Sequence, residues 1–413
     1  MSDKPEKSVF HADCNSFYAS VEETFRPELR RVPMAVAGNP ENRHGIILAK
    51  NELAKKFKIQ TAETVWSAKK KCPELVLVPP QHNVYGEFCE RVNAIYEQYS
   101  PLVERFGVDE SFLDVTGCLS PFGGDVLKCA HEIRERVKCE IDITISVGVS
   151  WNKTFAKLGS DYKKPNAVTD INRENWKQIV FPLPAGDLFG VGRKTAEALE
   201  KFGVLTIGAL AACDKAFLIE RFGKMGEQLH MKANGLDDSP VAAVGEGEPI
   251  KSVGNGYTFK RDLVSDSDFH TAVAYLSDSV ATRLRKHGFK CRVVQIAIKD
   301  TAMKSIVRQM TLTAPTYLAH DISAAALELL AKHWRIGKPV RTLTITGENL
   351  VGEDYSESRQ LTLFDEPTTP KSGRQEKLEH TLDVIRERYG SKAVISGNIL
   401  KNDLGIRDKS RDE

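Results

Sequence analysis

The apolar residues of this chain recur with two different periods, which predict its strands and helices. A period of two, typical of a half-buried strand, runs through Ile143, Ile145, Val147 and Val149. Spacings of three and four residues predict one helix over 84–99 and another that carries Val126, Ala130, Ile133 and Val137. The apolar run at 8–12 predicts a strand that leads into a helix, and residues 103–116 predict a hairpin.

In chain order these elements are strand, helix, hairpin, helix and strand, which is the order of a ferredoxin-like α+β domain. A lysine-rich insert at 31–81 separates the first strand from the later elements. The first 172 residues therefore predict one α+β domain with a smaller insert.

The pattern changes after residue 172. Residues 173–240 are helical in pattern and punctuated by glycines, and 241–250 resemble a linker. Residues 251–350 predict a second α/β unit, because helical stripes and strand-like alternation both return there. The helical stripes are Phe269, Val273, Leu276, Val280 and Leu284, then Ile322, Ala326, Leu329 and Leu330; the alternating positions are Val294, Ile296 and Ile298, then Leu343 and Ile345. Residues 351–413 are polar and predict a tail with one helix near 374–389.

Charge is distributed unevenly along the chain. The 413 residues carry a formal net charge of +2, and the length suits two to four domains. Residues 251–350 hold 15 lysines and arginines against 8 aspartates and glutamates, a local charge of +7. This asymmetry favours a domain that meets a polyanion, although a merely solvated basic face would look the same.

The eight cysteines are scattered, and none forms a CxxC pair or joins a zinc-type cluster with histidine. Scattered cysteines are typical of a reducing compartment. No apolar signal segment or run of membrane-spanning length is found, so the sequence predicts a cytoplasmic protein.

Two acidic clusters suggest the chemistry. Asp13 follows the first apolar run, and Asp109 and Glu110 follow the run at 103–108. Carboxylates gathered at strand ends repel one another unless a cation neutralises them, and hard divalent ions such as Mg²⁺ suit oxygen ligands. Taken singly, each cluster has an ordinary interpretation, as a helix cap or as a solvated hairpin.

Two further motifs carry basic residues or glycines. Ser150-Trp151-Asn152-Lys153-Thr154-Phe155-Ala156-Lys157 is followed by Lys164-Pro165-Asn166, and by itself this is a solvated lysine run. Gly190 and Gly192 resemble the hairpin of a helix–hairpin–helix motif, which binds a DNA phosphate through backbone amides. A glycine pair that ends a helix is the alternative, and the P-loop spacing is absent.

Together, the acidic clusters and the S-x-N-K-x-x-A-K and K-P-N stretch resemble the catalytic motifs of Y-family DNA polymerases, which include DinB-type and UmuC-type enzymes. The resemblance covers roughly residues 8–350. It implies a multidomain right-hand polymerase with a ferredoxin-like palm. The implied domains are the palm (1–16 and 82–172), the fingers (17–81), a helical thumb with the glycine hairpin (173–240), a linker (241–250), an α/β little finger (251–350) and a tail (351–413).

The resemblance also implies a site. Asp13, Asp109 and Glu110 are expected to bind two Mg²⁺ ions, with the backbone carbonyl of Cys14 as a further ligand. Tyr18 stands at the position of the steric gate that excludes ribonucleotides, although its spacing alone fits an ordinary core aromatic. Lys164 aligns with the lysine that contacts the nucleotide triphosphate.

Two departures from the family pattern stand beside this site. Asn15 replaces the second aspartate of many DinB-type members, which leaves the subfamily open. The fingers positions that usually supply a tyrosine and an arginine to the phosphates are Glu52 and Lys55 here. Lys55 is therefore expected to contact phosphate as a point charge, without the fork of an arginine.

The run Gln360-Leu361-Thr362-Leu363-Phe364 interrupts the polar tail. It resembles a peptide that binds the sliding clamp, with Gln360, Leu361, Leu363 and Phe364 as contacts. The family peptide often lies at the extreme C-terminus, whereas about fifty residues follow it here. A short strand packed on its own protein is the alternative.

The sequence thus predicts a low-fidelity, template-directed DNA polymerase for translesion synthesis. It contains no second acidic motif set that would indicate a proofreading exonuclease. It is expected to act on primer–template DNA and dNTPs as a monomer. Two alternatives stay open: a nucleotidyl cyclase-like palm enzyme, and a catalytically inactive scaffold that binds DNA and the clamp. The lesions that it bypasses are not indicated.

Overall fold

The computed structural model describes residues 6–38, 45–247, 249–355, 371–390, 393–400 and 402–406. The chain divides into two compact units, and the boundary lies between Gly247 and Glu248. The first unit contains residues up to 38 together with 46–247, and the second contains the residues after 247.

The first unit begins with an α+β region. Its elements in chain order are β1 (Val9–Cys14), α1 (Phe17–Phe25), β2 (Met34–Ala37), β3 (Ile47–Lys50), α2 (Glu52–Lys56), α3 (Val65–Lys71), β4 (Val76–Val78), α4 (His82–Tyr96), β5 (Val103–Arg105), β6 (Glu110–Asp114), α5 (Val126–Ile141), β7 (Ile145–Ser150), α6 (Lys153–Tyr162) and β8 (Val168–Asp170). The helix predicted over 84–99, the hairpin at 103–116 and the strand at 143–149 are confirmed as α4, β5–β6 and β7. The prediction that this last strand is half-buried is wrong, because every residue of β7 is buried and α6 packs on its second face.

The central sheet has the strand order β5-β6-β1-β7-β8, with β1 in the middle and antiparallel to both neighbours. Side chains alternate between the two faces of a strand. Phe10, Ala12 and Cys14 therefore pack with α4 and α5 in one core. The alternate residues of β1, which include His11 and Asp13, face α6. This α+β sheet confirms the predicted ferredoxin-like order.

Gly148 on β7 lets α6 approach the sheet closely. A Cβ at this position would lie 1.8 Å from the carbonyl oxygen of Ala156 and 2.4 Å from the amide nitrogen of Ser160. The opposing residue on α6 is Gly159, so two glycines meet where helix and strand cross. This contact sets how near α6 brings its lysines to the carboxylates of β1 and β6.

Gly148→Ala is expected to destabilise the first unit by about 1–3 kcal/mol, because the added methyl overlaps backbone atoms that have no flexible alternative. Gly86→Ala on α4 is the matched control, since its Cβ would meet nothing within 4 Å. That change is expected to be neutral or to stabilise by up to about 1 kcal/mol. Urea unfolding of both variants measures the difference, and equal stabilities would contradict the close packing.

The remaining parts of the first unit have their own cores. The β3-β2-β4 sheet packs with α2 and α3 around Ile47, Ile59 and Leu75. Residues after β8 form a helical region whose core includes Leu199, Ile207 and Leu218. Its helices are α7 (Trp176–Val180), α8 (Arg193–Lys201), α9 (Ile207–Ala212), α10 (Lys215–Phe222) and α11 (Lys224–Ala233).

The second unit is an antiparallel sheet with helices packed on one face. Its elements are β9 (Ser252–Leu263), α12 (Asp266–Lys286), β10 (Phe289–Asp300), β11 (Ser305–Thr316), α13 (Ala319–His333), β12 (Val340–Gly352) and α14 (Lys371–Tyr389). The strand order is β11-β10-β12-β9. Val294, Ile296 and Ile298 pack with α12 and α13. The intervening residues Gln295, Ala297 and Lys299 lie on the face turned away from both helices.

The C-terminal segment is not simply a polar tail, because α14 and residues 399–406 pack onto the second unit. Ile399, Leu404 and Ile406 belong to its core. Arg285 is buried on α12 and forms ion pairs with Glu379 and Asp383 of α14. The helix predicted near 374–389 is confirmed. The predicted clamp peptide at 360–364 lies outside the described residues.

The eight cysteines are all free thiols. No helix in the part of the chain that the structure describes combines the length and the apolar character needed to cross a bilayer.

Candidate active site

Two adjacent strands bring the acidic clusters together. Asp13 on β1 stands directly opposite Glu110 on β6 in the antiparallel register. Asp109 precedes Glu110 in the hairpin turn, and its carbonyl oxygen accepts a hydrogen bond from the Cys14 amide at 2.9 Å. The prediction that Asp109 and Glu110 follow the end of a strand is wrong in detail, because β5 ends at Arg105 and Glu110 begins β6.

Lysines contact two of the three carboxylates. Lys164 donates a hydrogen bond from Nζ to Oδ2 of Asp13 at 2.6 Å and also pairs with Asp161 at 2.7 Å. Lys157 on α6 donates from Nζ to Oε2 of Glu110 at 2.7 Å. Each of these carboxylates thus holds an ammonium group on one of its oxygens.

Burial and charge shift the three carboxyl groups in different directions. Burial raises the pKa of Asp13 above its usual value, and the nearby Lys164 reduces this shift without cancelling it. Burial, followed by the charge of Glu110, also raises the pKa of Asp109. Burial would raise the pKa of Glu110 too, but hydrogen bonds from His11 and Lys157 outweigh it, and the net shift is downward. A cation bound nearby would therefore stabilise the ionised forms of Asp13 and Asp109.

The donor chemistry of this cluster fits a hard divalent cation, because Asp13, Asp109 and Glu110 offer carboxylate oxygens on rigid strands and a turn. Their side chains do not form a ready-made set of ligands: within the described ranges, no three histidine, cysteine or acidic side chains are grouped as a metal site. Lys157 and Lys164 hold one oxygen each of Glu110 and Asp13. The cluster thus has the right ligands, with lysines as their partners.

Asp114, the next acidic residue of β6, lies outside the site. Glu110 and Asp114 are four residues apart on β6 and therefore share a face. Asp114 sits opposite Val9, at the far end of the strand, and accepts hydrogen bonds from Thr116. Distance along the strand, about 13 Å for four residues, separates it from Glu110.

Tyr18 lies in the first turn of α1, half-buried, and its ring stacks on that of Tyr85 of α4. The ring centres are 4.1 Å apart with an angle of 15° between the planes. Tyr85 is buried and donates a hydrogen bond from its hydroxyl to Glu22 at 2.7 Å. Burial raises the pKa of Tyr18, and the charge of Asp109 adds to this. The Tyr18 ring is thus held in a stack within range of the acidic cluster.

The departures from the family pattern have local partners. The amide of Asn15 accepts from Ser146 at 2.9 Å and donates to Thr144 at 3.1 Å, so its side chain is occupied by β7 and the preceding loop. Lys55 pairs with Glu52 at 2.5 Å within α2. The carboxylate of Glu52 therefore already holds the cation that was expected to contact phosphate.

The two glycines of the predicted hairpin precede a helix and do not end one. Gly192 is the N-cap residue of α8, and Gly190 has φ +100°, a conformation that glycine adopts without strain. Lys232 of α11 lies beside them, 4.5 Å from the centre of the Phe189 ring. A helix start, two glycines and a lysine therefore converge at this loop.

Three residues that contact the predicted site were not predicted from the sequence: His11, Lys157 and Tyr85. His11 precedes Asp13 by two residues and so shares its face of β1, which the period of a strand indicates. Lys157 is the last residue of the S-x-N-K-x-x-A-K stretch, but only the packing of α6 shows which carboxylate it meets. Tyr85 lies within the helix predicted over 84–99, and nothing in the local sequence links it with Tyr18.

Comparisons with known proteins agree with this fold. Residues 12–161 match the impB/mucB/samB family, and residues 250–363 match the impB/mucB/samB family C-terminal domain. DNA polymerase IV of Acetivibrio thermocellus is 45% identical over 97% of this chain and 99% of its own length. DNA polymerase IV 1 of Bacillus subtilis is 36% identical over 97% of this chain and 95% of its own.

A solved Y-family DNA polymerase chimera has the same fold, with a TM-score of 0.73 at 20% sequence identity. The match covers 83% of this chain and 99% of the chimera. The two family matches cover more than half of the chain, and the relatives match it over nearly their whole length. The chain therefore belongs to the impB/mucB/samB family, and the resemblance to Y-family, DinB-type polymerases is confirmed.

Proposed function

We propose that this protein is a template-directed DNA polymerase that extends primers across damaged bases without proofreading. The observation that carries the proposal is the antiparallel register that sets Asp13 against Glu110, with Asp109 beside them, in a chain of this family. The substrates are primer–template DNA and dNTPs. The family match gives no support to the cyclase alternative.

The proposed domain roles follow the two units. Residues 1–16 and 82–172 form the palm, 17–81 the fingers and 173–240 the thumb, and 241–250 link these to the little finger at 251–350. We propose that the loop at Gly190 and Gly192 binds the DNA backbone through its amides and the start of α8. We also propose that the protein acts as a monomer.

Within the site, Asp13, Asp109 and Glu110 would hold two Mg²⁺ ions, with the backbone carbonyl of Cys14 as an additional ligand. When bound, such ions lower the pKa of the primer 3′-hydroxyl and neutralise the charge that develops on the pyrophosphate. In this proposal Lys164 leaves Asp13 and pairs with the nucleotide triphosphate. Tyr18 fills the space that a ribose 2′-hydroxyl would need. Lys55 contributes more weakly to phosphate binding, because Glu52 shares its charge.

Primer extension with Mg²⁺ and all four dNTPs tests the function. A polymerase lengthens a labelled primer in a template-dependent manner and releases pyrophosphate. An inactive scaffold binds the same DNA without extension, and a cyclase consumes a nucleoside triphosphate without a primer. Failure to extend, by a folded protein that binds primer–template DNA, would overturn the proposal.

Lys299→Ala is expected to weaken binding to primer–template DNA and to reduce the slope of log affinity against log salt by about 1. Lys299 lies on β10, opposite Ser305 and Thr342, on the sheet face turned away from α12 and α13. We propose that this face meets the DNA phosphates. Fluorescence anisotropy at several salt concentrations measures both quantities.

Lys332→Ala is the matched control for this experiment. Lys332 is an exposed lysine of the same unit, but it lies on α13 and pairs with Glu328 of the same helix. Its removal is expected to leave the salt dependence unchanged. Equal effects of the two substitutions would mean that net charge, rather than the open sheet face, governs DNA binding.

We also propose that residues 360–364 dock on a sliding clamp, as a tether that raises the local concentration of polymerase at the primer end. Replacing Leu363 and Phe364 with Ala is expected to leave single-nucleotide insertion on naked DNA unchanged and to abolish stimulation by a loaded clamp. Burial of these apolar anchors supplies a few kcal/mol, at about 25 cal/mol per Å² of apolar surface removed from water. Clamp stimulation that survives in the double variant would assign the tether to another segment.

A further inference from the structure

Glu22 is a charged residue that is buried completely, and none of the proposed chemistry involves it. It lies on α1, and 0% of its side chain is exposed. Burying an ionised carboxylate is costly unless its oxygens are paired with hydrogen-bond donors. The partners of Glu22 therefore indicate what the buried charge does.

Three side chains donate to the two carboxylate oxygens of Glu22. The hydroxyl of Tyr85 donates to Oε1 at 2.7 Å. The amide of Gln81 donates to Oε1 at 3.0 Å and to Oε2 at 3.1 Å. Nη2 of Arg26, four residues later along the chain, donates to Oε2 at 2.5 Å. An ionised carboxylate accepts hydrogen bonds and donates none, so all of these contacts are satisfied together.

Two of these partners belong to the start of α4. Gln81 is the N-cap residue, but its side chain makes no capping hydrogen bond and is turned to Glu22. Tyr85 follows one turn later and is 1% exposed. The positive end of a helix dipole also favours a negative charge beside the first turn. Glu22 thus ties α1 to the first turn of α4 through Gln81 and Tyr85.

The ring of Tyr85 carries Tyr18 on its face. Tyr18 and Glu22 are four residues apart on α1 and so share a face of that helix. The ring of Tyr18 stacks on the ring of Tyr85, with the centres 4.1 Å apart, while Glu22 holds the hydroxyl of the same Tyr85. Stacking fixes the distance between two rings but leaves them free to slide in the ring plane. A hydrogen bond is directional, so the bond to Glu22 restrains that motion.

Two further rings close the edges of the stack. His82 meets both Tyr18 and Tyr85 edge-on, with ring centres 5.8 and 5.9 Å away. Phe17 meets Tyr85 edge-on at 6.4 Å. Contacts of this kind pack the stack without fixing its rotation, which leaves the hydroxyl bond to Glu22 as the directional contact.

We propose that Glu22 is a positioning residue for the steric gate. Its carboxylate holds the hydroxyl of Tyr85, and the held Tyr85 ring fixes the Tyr18 ring in the place where it excludes a ribose 2′-hydroxyl. The inference rests on the proposed function, because it takes Tyr18 as the gate. Glu22 acts through Tyr85 and touches no reacting atom, so its loss changes sugar selection more than it changes deoxyribonucleotide incorporation.

The test compares Glu22→Met, Tyr85→Phe and Glu22→Gln. Glu22→Met removes both accepting oxygens, Tyr85→Phe removes only the hydroxyl from a ring that still stacks, and Glu22→Gln keeps one oxygen that accepts. The first two changes are expected to lower discrimination against a matched rNTP by about 10-fold, measured as the ratio of kcat/KM for dNTP and rNTP. Glu22→Gln is expected to recover most of that loss. Parental discrimination in folded Tyr85→Phe would overturn the positioning role, whether or not Glu22→Met folds.

Val92→Ala is the matched control for loss of packing. Val92 lies two turns further along α4 than Tyr85, is 2% exposed and belongs to the same core. Its truncation is expected to lower the melting temperature and to leave the sugar ratio at the parental value. An equal loss of discrimination in Val92→Ala would mean that general loosening of the core relaxes the gate, which would overturn the role of Glu22.

Combination with Tyr18→Ala tests the route of the effect. If Glu22 and Tyr85 act through the Tyr18 ring, Tyr85→Phe has no further effect on the sugar ratio once that ring is absent. Multiplying fold-changes would place them on a separate route and would contradict the proposal. A parental ratio in Tyr18→Ala itself would end the gate assignment and this inference with it.

Nuclear magnetic resonance of the full-length protein with labelled tyrosine gives a readout apart from activity. The ring protons of Tyr18, assigned by their loss in Tyr18→Phe, are shifted upfield by the face of the Tyr85 ring. We expect this shift to shrink in Glu22→Met, and an unchanged shift would contradict the proposed restraint. If the wild-type protein does not extend primers, the polymerase proposal fails, and this shift still decides whether Glu22 holds the stack.

Discussion

Replacing Asp109 with Asn, or Glu110 with Gln, is expected to reduce nucleotide incorporation by at least about 100-fold. Each change keeps the shape of the side chain and removes a charge that the proposed metal ions require. Single-turnover incorporation with excess protein measures the chemical step, and anisotropy checks that primer–template DNA still binds. Incorporation at more than about a tenth of the wild-type rate by both variants would end the two-metal assignment.

The same two variants are expected to differ in stability. Burial and the charge of Glu110 raise the pKa of Asp109, so its ionised form costs folding free energy near neutral pH. The pKa of Glu110 is lowered by its partners, so its ionised form stabilises the fold. Without divalent ions, Asp109→Asn is therefore expected to melt at or above the wild-type temperature, and Glu110→Gln below it. Thermal unfolding in the presence of a chelator measures whether the two substitutions shift the melting temperature in these opposite directions.

Tyr18→Ala is expected to raise incorporation of ribonucleotides relative to deoxyribonucleotides on the order of 100-fold, because the ring excludes one hydroxyl and does no chemistry. The stack on Tyr85 fixes the position of the ring, so the exclusion does not depend on a mobile side chain. The ratio of kcat/KM for a matched rNTP and dNTP measures the effect.

Tyr18→Phe is the control for the steric gate. It keeps the ring and its stack and loses only the hydroxyl, so sugar discrimination is expected to stay close to that of the parent. If Tyr18→Ala discriminates between the two sugars as well as the parent does, Tyr18 is an ordinary core aromatic. If Tyr18→Phe loses discrimination as well, the hydroxyl rather than the bulk of the ring excludes the ribose.

Strong local periodicity accounts for the parts of the fold that the sequence predicted. The helix α4 buries one apolar face, and the strand β7 alternates apolar residues with small ones. All six residues of β7 are nevertheless buried, because α6 packs on its second face at Gly148. The hairpin of β5 and β6 was also predicted, but its turn was not placed correctly. Turn geometry rather than apolar period fixes where Asp109 sits.

Contacts between distant residues account for what the sequence did not predict. His11 meets Glu110 and Ser160, which are far from it along the chain and reach it only through strand pairing and the packing of α6. The position of α14 was missed for a related reason. Its contact with the second unit relies on Glu379 and Asp383, which pair with the buried Arg285. A polar segment of this kind resembles a solvated tail until its partner is known.

The packing of the C-terminal segment also bears on the order in which the protein folds during synthesis. Leu404 and Ile406 fill the core of the second unit, and Lys260 on β9 donates its backbone amide to the Leu404 carbonyl oxygen at 2.9 Å. That core stays incomplete on the ribosome until residue 406 has left the exit tunnel. The first unit is complete at residue 247, so it is free to fold while the second is still being translated. A nascent chain therefore carries a finished first unit, with its central sheet, well before its second unit has closed.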